Sequence, residues 1–286
     1  MNQEEYDFLK GRYSSLAKEL GYDGAFMWQS VGSTNDEARK AFSLNDTEFG
    51  RACDSHASAV FWALEQTAGR GRLGRTWDSE EGSGIYMSFV VRALEHVGAL
   101  TIAAGASVCR SLREMGYDAM LKWPNDVLID GKKVCGILSE LIINENGMNY
   151  VVVGAGLNLT RSFAGDLSRT AISLKDVSSK DVSFAFGHSP KDDLERGMRL
   201  MMESVGSTVR HYFSRDKSIF IDLAKMYSAT INSEVEVHNV HDRDGYLAIA
   251  RDIDTDGALI VELSTGEYKK VFAGEVTLRR KRATNI

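Results

Sequence analysis

Residues 65–77 read Glu65-Gln66-Thr67-Ala68-Gly69-Arg70-Gly71-Arg72-Leu73-Gly74-Arg75-Thr76-Trp77, and the chain beyond these glycines decides the fold class. Gly69, Gly71 and Gly74 match G-x-G-x-x-G, and an apolar, strand-like run at Ala59–Leu64 precedes them. A dinucleotide-binding loop also needs a helix after it, with its N-terminus on the pyrophosphate. Here the chain continues Asp78-Ser79-Glu80-Glu81-Gly82-Ser83-Gly84, which carries no apolar helical stripe, so the doubly wound nucleotide fold is excluded. There remains a flexible, backbone-exposed loop bearing Arg70, Arg72 and Arg75, with Trp77 behind it. Glycines let the main chain approach a ligand closely. Guanidinium forks grip phosphate or carboxylate through paired hydrogen bonds, and an indole stacks on a purine. The set suits an adenylate or phosphate ester, although charged glycine-rich loops are as often plain solvated surface.

Outward from this loop the pattern is α+β. Upstream, residues 3–20 carry Tyr6, Leu9, Tyr13, Leu16, Ala17 and Leu20 at helical spacing. A second helix begins at Ser33-Thr34-Asn35-Asp36-Glu37, where Thr34 and Glu37 have capping-box spacing. Downstream, Ile85–Val91 reads as a strand and Gly98–Met115 as a helix. Further strands come at Val127–Ile129, Val134–Ile143 and Tyr150–Leu159, with Asp130-Gly131 and Asn146-Gly147 supplying hairpin turns. The sheet is therefore mixed and largely antiparallel. A polar stretch at 160–193 leads to helical segments near 194–215 and 218–229. From about Ser233 the chain changes to short alternating segments: Glu234–Val240, Tyr246–Arg251, Ala258–Leu263, Glu267–Phe272 and Glu275–Leu278. These predict a small C-terminal β-barrel, with domains at 1–230 and 231–286.

The other informative run is Leu121-Lys122-Trp123-Pro124-Asn125-Asp126-Val127. Pro124 holds Trp123 extended and Asn-Asp favours a turn, so a strand end presents Lys122, Asn125 and Asp126 together. Taken singly, Lys122 reads as a surface lysine and Trp123 as core.

Composition narrows the function classes. The 286-residue chain is 43% hydrophobic and 26% charged, with a formal net charge of -6. An acidic molecule does not attract polyanions as a whole, which argues against nucleic acid as a partner. No run approaches the ~20 apolar residues of a membrane helix, and the N-terminus lacks the apolar core of a signal peptide. Cys53, Cys109 and Cys135 show no metal or disulfide spacing, which suits a reducing cytoplasm. The six histidines are scattered, with no H-E-x-x-H, and no zinc site is expected. The Arg279-Arg280-Lys281-Arg282 run reads as a solvated tail.

Five segments, in order, resemble the catalytic core of biotin protein ligases: Ser33-Thr34-Asn35; Gln66 with Gly69–Arg75; Lys122-Trp123-Pro124-Asn125-Asp126; Lys133-Val134-Cys135-Gly136-Ile137-Leu138; and Gly154-Ala155-Gly156-Leu157-Asn158. They span roughly residues 30–160, and the terminal small β-domain fits the same family. The resemblance implies a class II synthetase-like core and an AMP-forming reaction. Biotin and ATP, the latter with Mg²⁺, would be joined as biotinyl-AMP, and biotin then passed to a lysine of a biotin carboxyl carrier protein domain. It implies that Ser33, Thr34, Asn35 and Gln66 hold the ureido ring, and that backbone at Gly71, Arg72 and Gly136 approaches the ligand. Lys133, distinguished from Lys132 only by register, would meet the biotinyl carboxylate or the adenylate. Trp77 would stack on adenine, and Asn125 and Asn158 would serve the nucleotide, Asn158 near the phosphates and magnesium. Arg70, Arg72 and Lys122 would spread the transition-state charge; the base of the second step is unassigned, with Asp126 a candidate.

A lipoate or octanoate ligase shares the core fold but resembles this chain less at the Arg-rich glycine loop. A non-catalytic biotin-binding module would not need Arg70, Arg72 and Lys122. Some relatives carry an N-terminal helix-turn-helix of roughly 60 residues. The Ser33 segment lies too near the start to leave room for one, so a monofunctional enzyme is expected. A homodimer is left open.

Overall fold

The computed structural model describes residues 1–43, 58–94, 97–177, 186–187, 189–238, 245–272 and 275–278. Cys53 and the Arg279–Arg282 run lie outside the described residues. Seven strands form the main sheet in the order β1-β2-β3-β7-β6-β5-β4. They are β1 (Gly24–Val31), β2 (Ala59–Gln66), β3 (Gly84–Arg92), β4 (Met120–Lys122), β5 (Asp126–Ile129), β6 (Lys132–Ile143) and β7 (Asn149–Asn158). β1 and β2 run parallel and every other pair is antiparallel. The parallel edge strand β1 was not foreseen: its half-buried GAFMWQSV has neither clean alternation nor a continuous apolar run.

Among the described residues, five longer helices flank the sheet: α1 (Gln3–Glu19), α2 (Thr34–Ser43), α3 (Leu100–Glu114), α4 (Pro190–Met201) and α5 (Ser218–Met226). α4 starts earlier than the apolar pattern suggested because Ser189 caps it and Pro190 opens it. It continues through a π-turn, Met202–Gly206, into Ser207–His211. α1, α3, α4 and α5 share the larger core cluster with Trp62, Ile85, Phe89 and Val153. α2 alone packs on the opposite face, placing Ala38, Ala41 and Phe42 against Phe61, Val90, Tyr150 and Val152. Period-two alternation then puts Gly136, Leu138, Glu140 and Ile142 of β6, and Val152, Gly154 and Gly156 of β7, on the α2 face. That face carries the site.

β8 (Glu234–His238), β9 (Tyr246–Ile253), β10 (Leu259–Glu262), β11 (Tyr268–Val271) and β12 (Glu275–Leu278) form an antiparallel sheet ordered β11-β10-β9-β8-β12. No ladder between its outer strands β11 and β12 is seen among the described residues. It is tied to the main sheet at the β4–β5 turn. The buried Trp123 indole donates to the Gly257 carbonyl at 3.0 Å, and Trp123 N–H donates to Thr230 Oγ1 at 2.9 Å. The Trp123-Pro124 peptide is cis. No helix among the described residues is long and apolar enough to cross a membrane.

Candidate active site

The glycine run is a folded hairpin rather than an open loop. Gln66 faces Ser79, Arg70 faces Thr76, Trp77 N–H donates to Gly69 O at 2.9 Å and Gly71 N–H to Arg75 O at 2.7 Å. Leu73 (φ 55°) and Gly74 (φ 72°) turn the tip through the left-handed region. No helix comes after it, as the sequence indicated. The hairpin bends over the α2 face and closes a slot lined by Ser33, Thr34, Asn35, Gln66, Gly71 and Gly136, together with Arg70, Arg72, Trp77, Asn125, Lys133 and Gly156.

At its inner end lies a polar cluster. The expected Thr34–Glu37 capping box does not form: the helix starts at Thr34 itself, Glu37 pairs with Lys40, and the Thr34 hydroxyl turns inward. Gln66 Oε1 accepts from Thr34 N–H (2.9 Å) and Thr34 Oγ1 (3.1 Å), while Gln66 Nε2 donates to Ser79 Oγ (2.9 Å). Buried Ser88 Oγ lies 2.7 Å from Thr34 Oγ1 and 2.5 Å from Asn35 Oδ1. These three oxygen–oxygen contacts have only two hydroxyl hydrogens between them, because amide oxygens only accept. The cluster is thus short of donors and suited to a ligand that brings N–H groups. Ser79 and Ser88 were missed from sequence, since a lone serine in a strand or loop carries no signal.

The floor is made by glycines. A Cβ at Gly154 would meet the Asn35 amide, 2.9 Å from its Cγ and nearer still to its oxygen. A Cβ at Gly156 would lie 2.6 Å from Trp77 Nε1, and one at Gly136 2.8 Å from Trp77 Cζ3. The indole therefore lies flat on two glycines, with Lys133 Nζ 5.1 Å from its ring centroid. Its Nε1–H is buried without an acceptor among the described residues. With the indole in place the slot keeps ≈ 50 Å³ of free space, against ~300–1,000 Å³ in typical small-molecule sites.

A second cleft of ≈ 640 Å³ adjoins it, sharing Trp77 and Lys133. Five basic side chains (Arg75, Lys122, Lys133, Arg161 and Arg169) line it against two acids, Asp78 and Asp126. Lys133 pairs with Asp126 at 2.6 Å; it is this lysine, not Lys132, that reaches the site. Buried Asn158 also lines the cleft and donates to Lys133 O (3.4 Å) and Ile172 O (3.1 Å). Arg161 grips Asp78, and that hydrogen bond holds the Asp78 carboxyl below its usual range. Arg75 was read from sequence only as part of the arginine loop, and Arg161 and Arg169 had no assigned role.

Two predicted residues sit differently from the expectation. Arg70 does not face the basic cleft: its guanidinium bonds Asp36 (2.7 Å) and Glu140 (3.0 Å) on the inner side. Asn125 lines the first slot and not the second; its Oδ1 accepts from Arg72 at 3.0 Å and its Nδ2 donates to Ile137 O. Among the described residues no group of three or more His, Cys, Asp or Glu gathers as a metal cage.

Comparison with known proteins agrees with this geometry. The profile of the biotin/lipoate A/B protein ligase family matches residues 40–158, and that of the biotin protein ligase C-terminal domain matches 230–279. The biotin–[acetyl-CoA-carboxylase] ligase of Mycobacterium tuberculosis is 33% identical over 255 residues, covering 86% of this chain and 85% of that one. The bifunctional ligase/repressor BirA of Bacillus subtilis is 29% identical over 223 residues; the match covers 76% of this chain and 65% of the relative. The structure of the Aquifex aeolicus biotin protein ligase in complex with biotin and ATP superposes with a TM-score of 0.66 at 25% identity, over 90% of this chain and 99% of that one. With a donor-poor slot opening into a basic cleft and these relatives along most of its length, the chain belongs to the biotin protein ligase family.

Proposed function

We propose that the chain adenylates biotin with ATP and transfers the biotinyl group to a lysine of a carboxyl carrier protein domain of a biotin-dependent carboxylase. The observation that carries this reading is the junction of the two clefts at Lys133 and Trp77. A ligand whose ring fills the donor-poor end directs its chain to that junction, where the basic cleft begins. The ureido ring of biotin brings two N–H donors; lipoate and octanoate bring none. The Mycobacterium relative carries acetyl-CoA-carboxylase ligase in its name and the Aquifex structure holds biotin and ATP, which supports the same substrates here.

In the first step a biotin carboxylate oxygen attacks the α-phosphorus of ATP, and the bond to pyrophosphate breaks. Two anions must meet, so the protein neutralises and orients them. Lys133 bridges the carboxylate end and the nucleotide end, Lys122 lines the nucleotide side, and Arg72, held to Asn125, closes the hairpin over the junction. The indole leaves the Gly136–Gly156 floor as the ligand enters, and its unpaired N–H gains an acceptor or solvent. From there it can stack on the adenine. In the second step the acceptor amine attacks the acyl carbon, AMP departs with the bonding pair, and the amine loses a proton. Magnesium brought in with the nucleotide would be held by the Asp126 carboxylate and the Asn158 side-chain oxygen, both of which line the basic cleft. Bound there, the ion would neutralise phosphate charge.

ATP–pyrophosphate exchange tests the reading, with biotin, lipoate and octanoate compared. Exchange that requires biotin and is lost in Lys133→Ala supports it. Exchange with lipoate or octanoate alone moves the chain to the sister activity, and silence with all three by a folded, biotin-binding protein leaves a binding module.

A further inference from the structure

Glu140 lies on β6, two residues beyond the segment that carries the family resemblance, and it ties together side chains from α2 and the glycine hairpin. Its Oε2 accepts from Asn35 Nδ2 at 2.8 Å; its Oε1 accepts from Arg39 at 2.6 Å and from Arg70 at 3.0 Å. The side chain is 18% exposed. A carboxylate only accepts hydrogen bonds. Asn35 must therefore turn its NH₂ towards Glu140 and its oxygen towards Ser88 and the slot. A neutral partner would allow either orientation, and the flipped amide would add a donor where the ring's own donors belong. The same carboxylate, with Asp36, holds Arg70 and so moors the first arm of the glycine hairpin to α2 and β6. Arg70 is held as a cation there: burial works against its charge, but the hydrogen bonds and charges of Asp36 and Glu140 outweigh it.

We propose that Glu140 is a positioning residue for the ring subsite, fixing Asn35 as an acceptor towards the ligand and mooring the glycine hairpin through Arg70. This rests on the biotin-ligase reading above. The test compares Glu140→Gln, Arg39→Ala and the double variant Glu140→Gln/Asn35→Asp. Biotin affinity is measured by calorimetry, biotin and ATP KM by pyrophosphate exchange, and stability by urea unfolding. Glu140→Gln is expected to weaken biotin binding about tenfold, the scale of one charge-assisted hydrogen bond, and to leave the ATP KM within about twofold. Arg39→Ala removes a partner of the same carboxylate without touching Asn35, so it leaves biotin affinity unchanged. The double variant restores most of the loss, because a carboxylate at position 35 accepts on both sides and an amide at position 140 can donate to it. A purely structural role would not produce that rescue. Glu140→Gln with wild-type biotin affinity, or with no recovery in the double variant, overturns the proposal. A wild-type chain that binds biotin without exchange refutes the catalytic reading alone; one that does not bind biotin refutes both.

Discussion

Gly154→Ala adds one methyl group to the floor of the ring subsite, and its consequence can be worked from the structure. Gly154 does not have a positive φ, so alanine is compatible with the backbone, and in a strand it would ordinarily gain about 0.5–1 kcal/mol over glycine. The new Cβ would lie 2.9 Å from Asn35 Cγ, where carbon atoms normally sit ~3.5–4.0 Å apart, so the amide has to retreat. Retreat breaks the 2.8 Å bond to Glu140 and the 2.5 Å contact with Ser88. The charge-assisted bond contributes about 1.5–3 kcal/mol and the neutral one about 0.5–1.5 kcal/mol. Less the strand gain, the net cost is about 1–4 kcal/mol. If the amide swings out of the cluster, the cost shows as a rise of roughly 5- to 700-fold in the biotin KM, at about 1.4 kcal/mol per decade. If it stays, the cost shows as lost stability. Pyrophosphate exchange and urea unfolding together read both channels. Gly11→Ala, at an exposed position of α1 with nothing within 4 Å of its new Cβ, controls for glycine replacement as such. A Gly154→Ala protein with wild-type stability and wild-type biotin KM refutes the close-contact reasoning.

Three further outcomes are expected. Trp123→Phe removes the indole bond to Gly257 O and leaves that carbonyl unpaired; the chain should lose about 2–4 kcal/mol, and unchanged urea unfolding would show that this tie between the sheets is dispensable. Biotin binding should change the intrinsic tryptophan fluorescence as Trp77 leaves its glycine floor, and Trp77→Phe should abolish most of the change; an equal change in that variant would place the probe elsewhere. Burial pushes Cys135 from its ordinary 9.0 up to about 12, and Tyr86 and Tyr117 also up to about 12. Above pH 9 the unfolded chain releases these protons first, so the stability they contribute, complete below the unfolded values, is lost as pH climbs towards 12. Unfolding midpoints that stay flat from pH 8 to 11 would contradict this.

Much of the frame was legible because short-range rules govern it. The Asp130-Gly131 turn, with φ of 53° and 70°, was readable from the dipeptide. β6, β7 and the five small strands came from composition and alternation, and the missing helix after Trp77 ruled out the wrong fold. The lining residues Ser33, Thr34, Asn35, Gln66 and Gly136 were reached through a resemblance of ordered motifs. β1 was not legible, because an edge strand beside a parallel neighbour is stabilised by pairing that no local pattern announces. Nor was the capping of α2: Thr34 and Glu37 have the right spacing, but Gln66 and Lys40 take their side chains.

The sequence by itself determined which residue types are present and, through local propensity and turn chemistry, where most strands and helices run. It also placed the glycine–arginine run, read as an open loop, between an apolar strand and an indole. Only the tertiary structure decided what those groups face. Residues 35, 70, 88, 140 and 154 come from separate parts of the chain, and nothing in their spacing says that one carboxylate holds both Asn35 and Arg70. The same holds for Trp77, which lies on Gly136 and Gly156 across two strands. Close approach of a side chain to a sheet depends on register between strands that are distant in sequence, and register is fixed by packing on both faces at once.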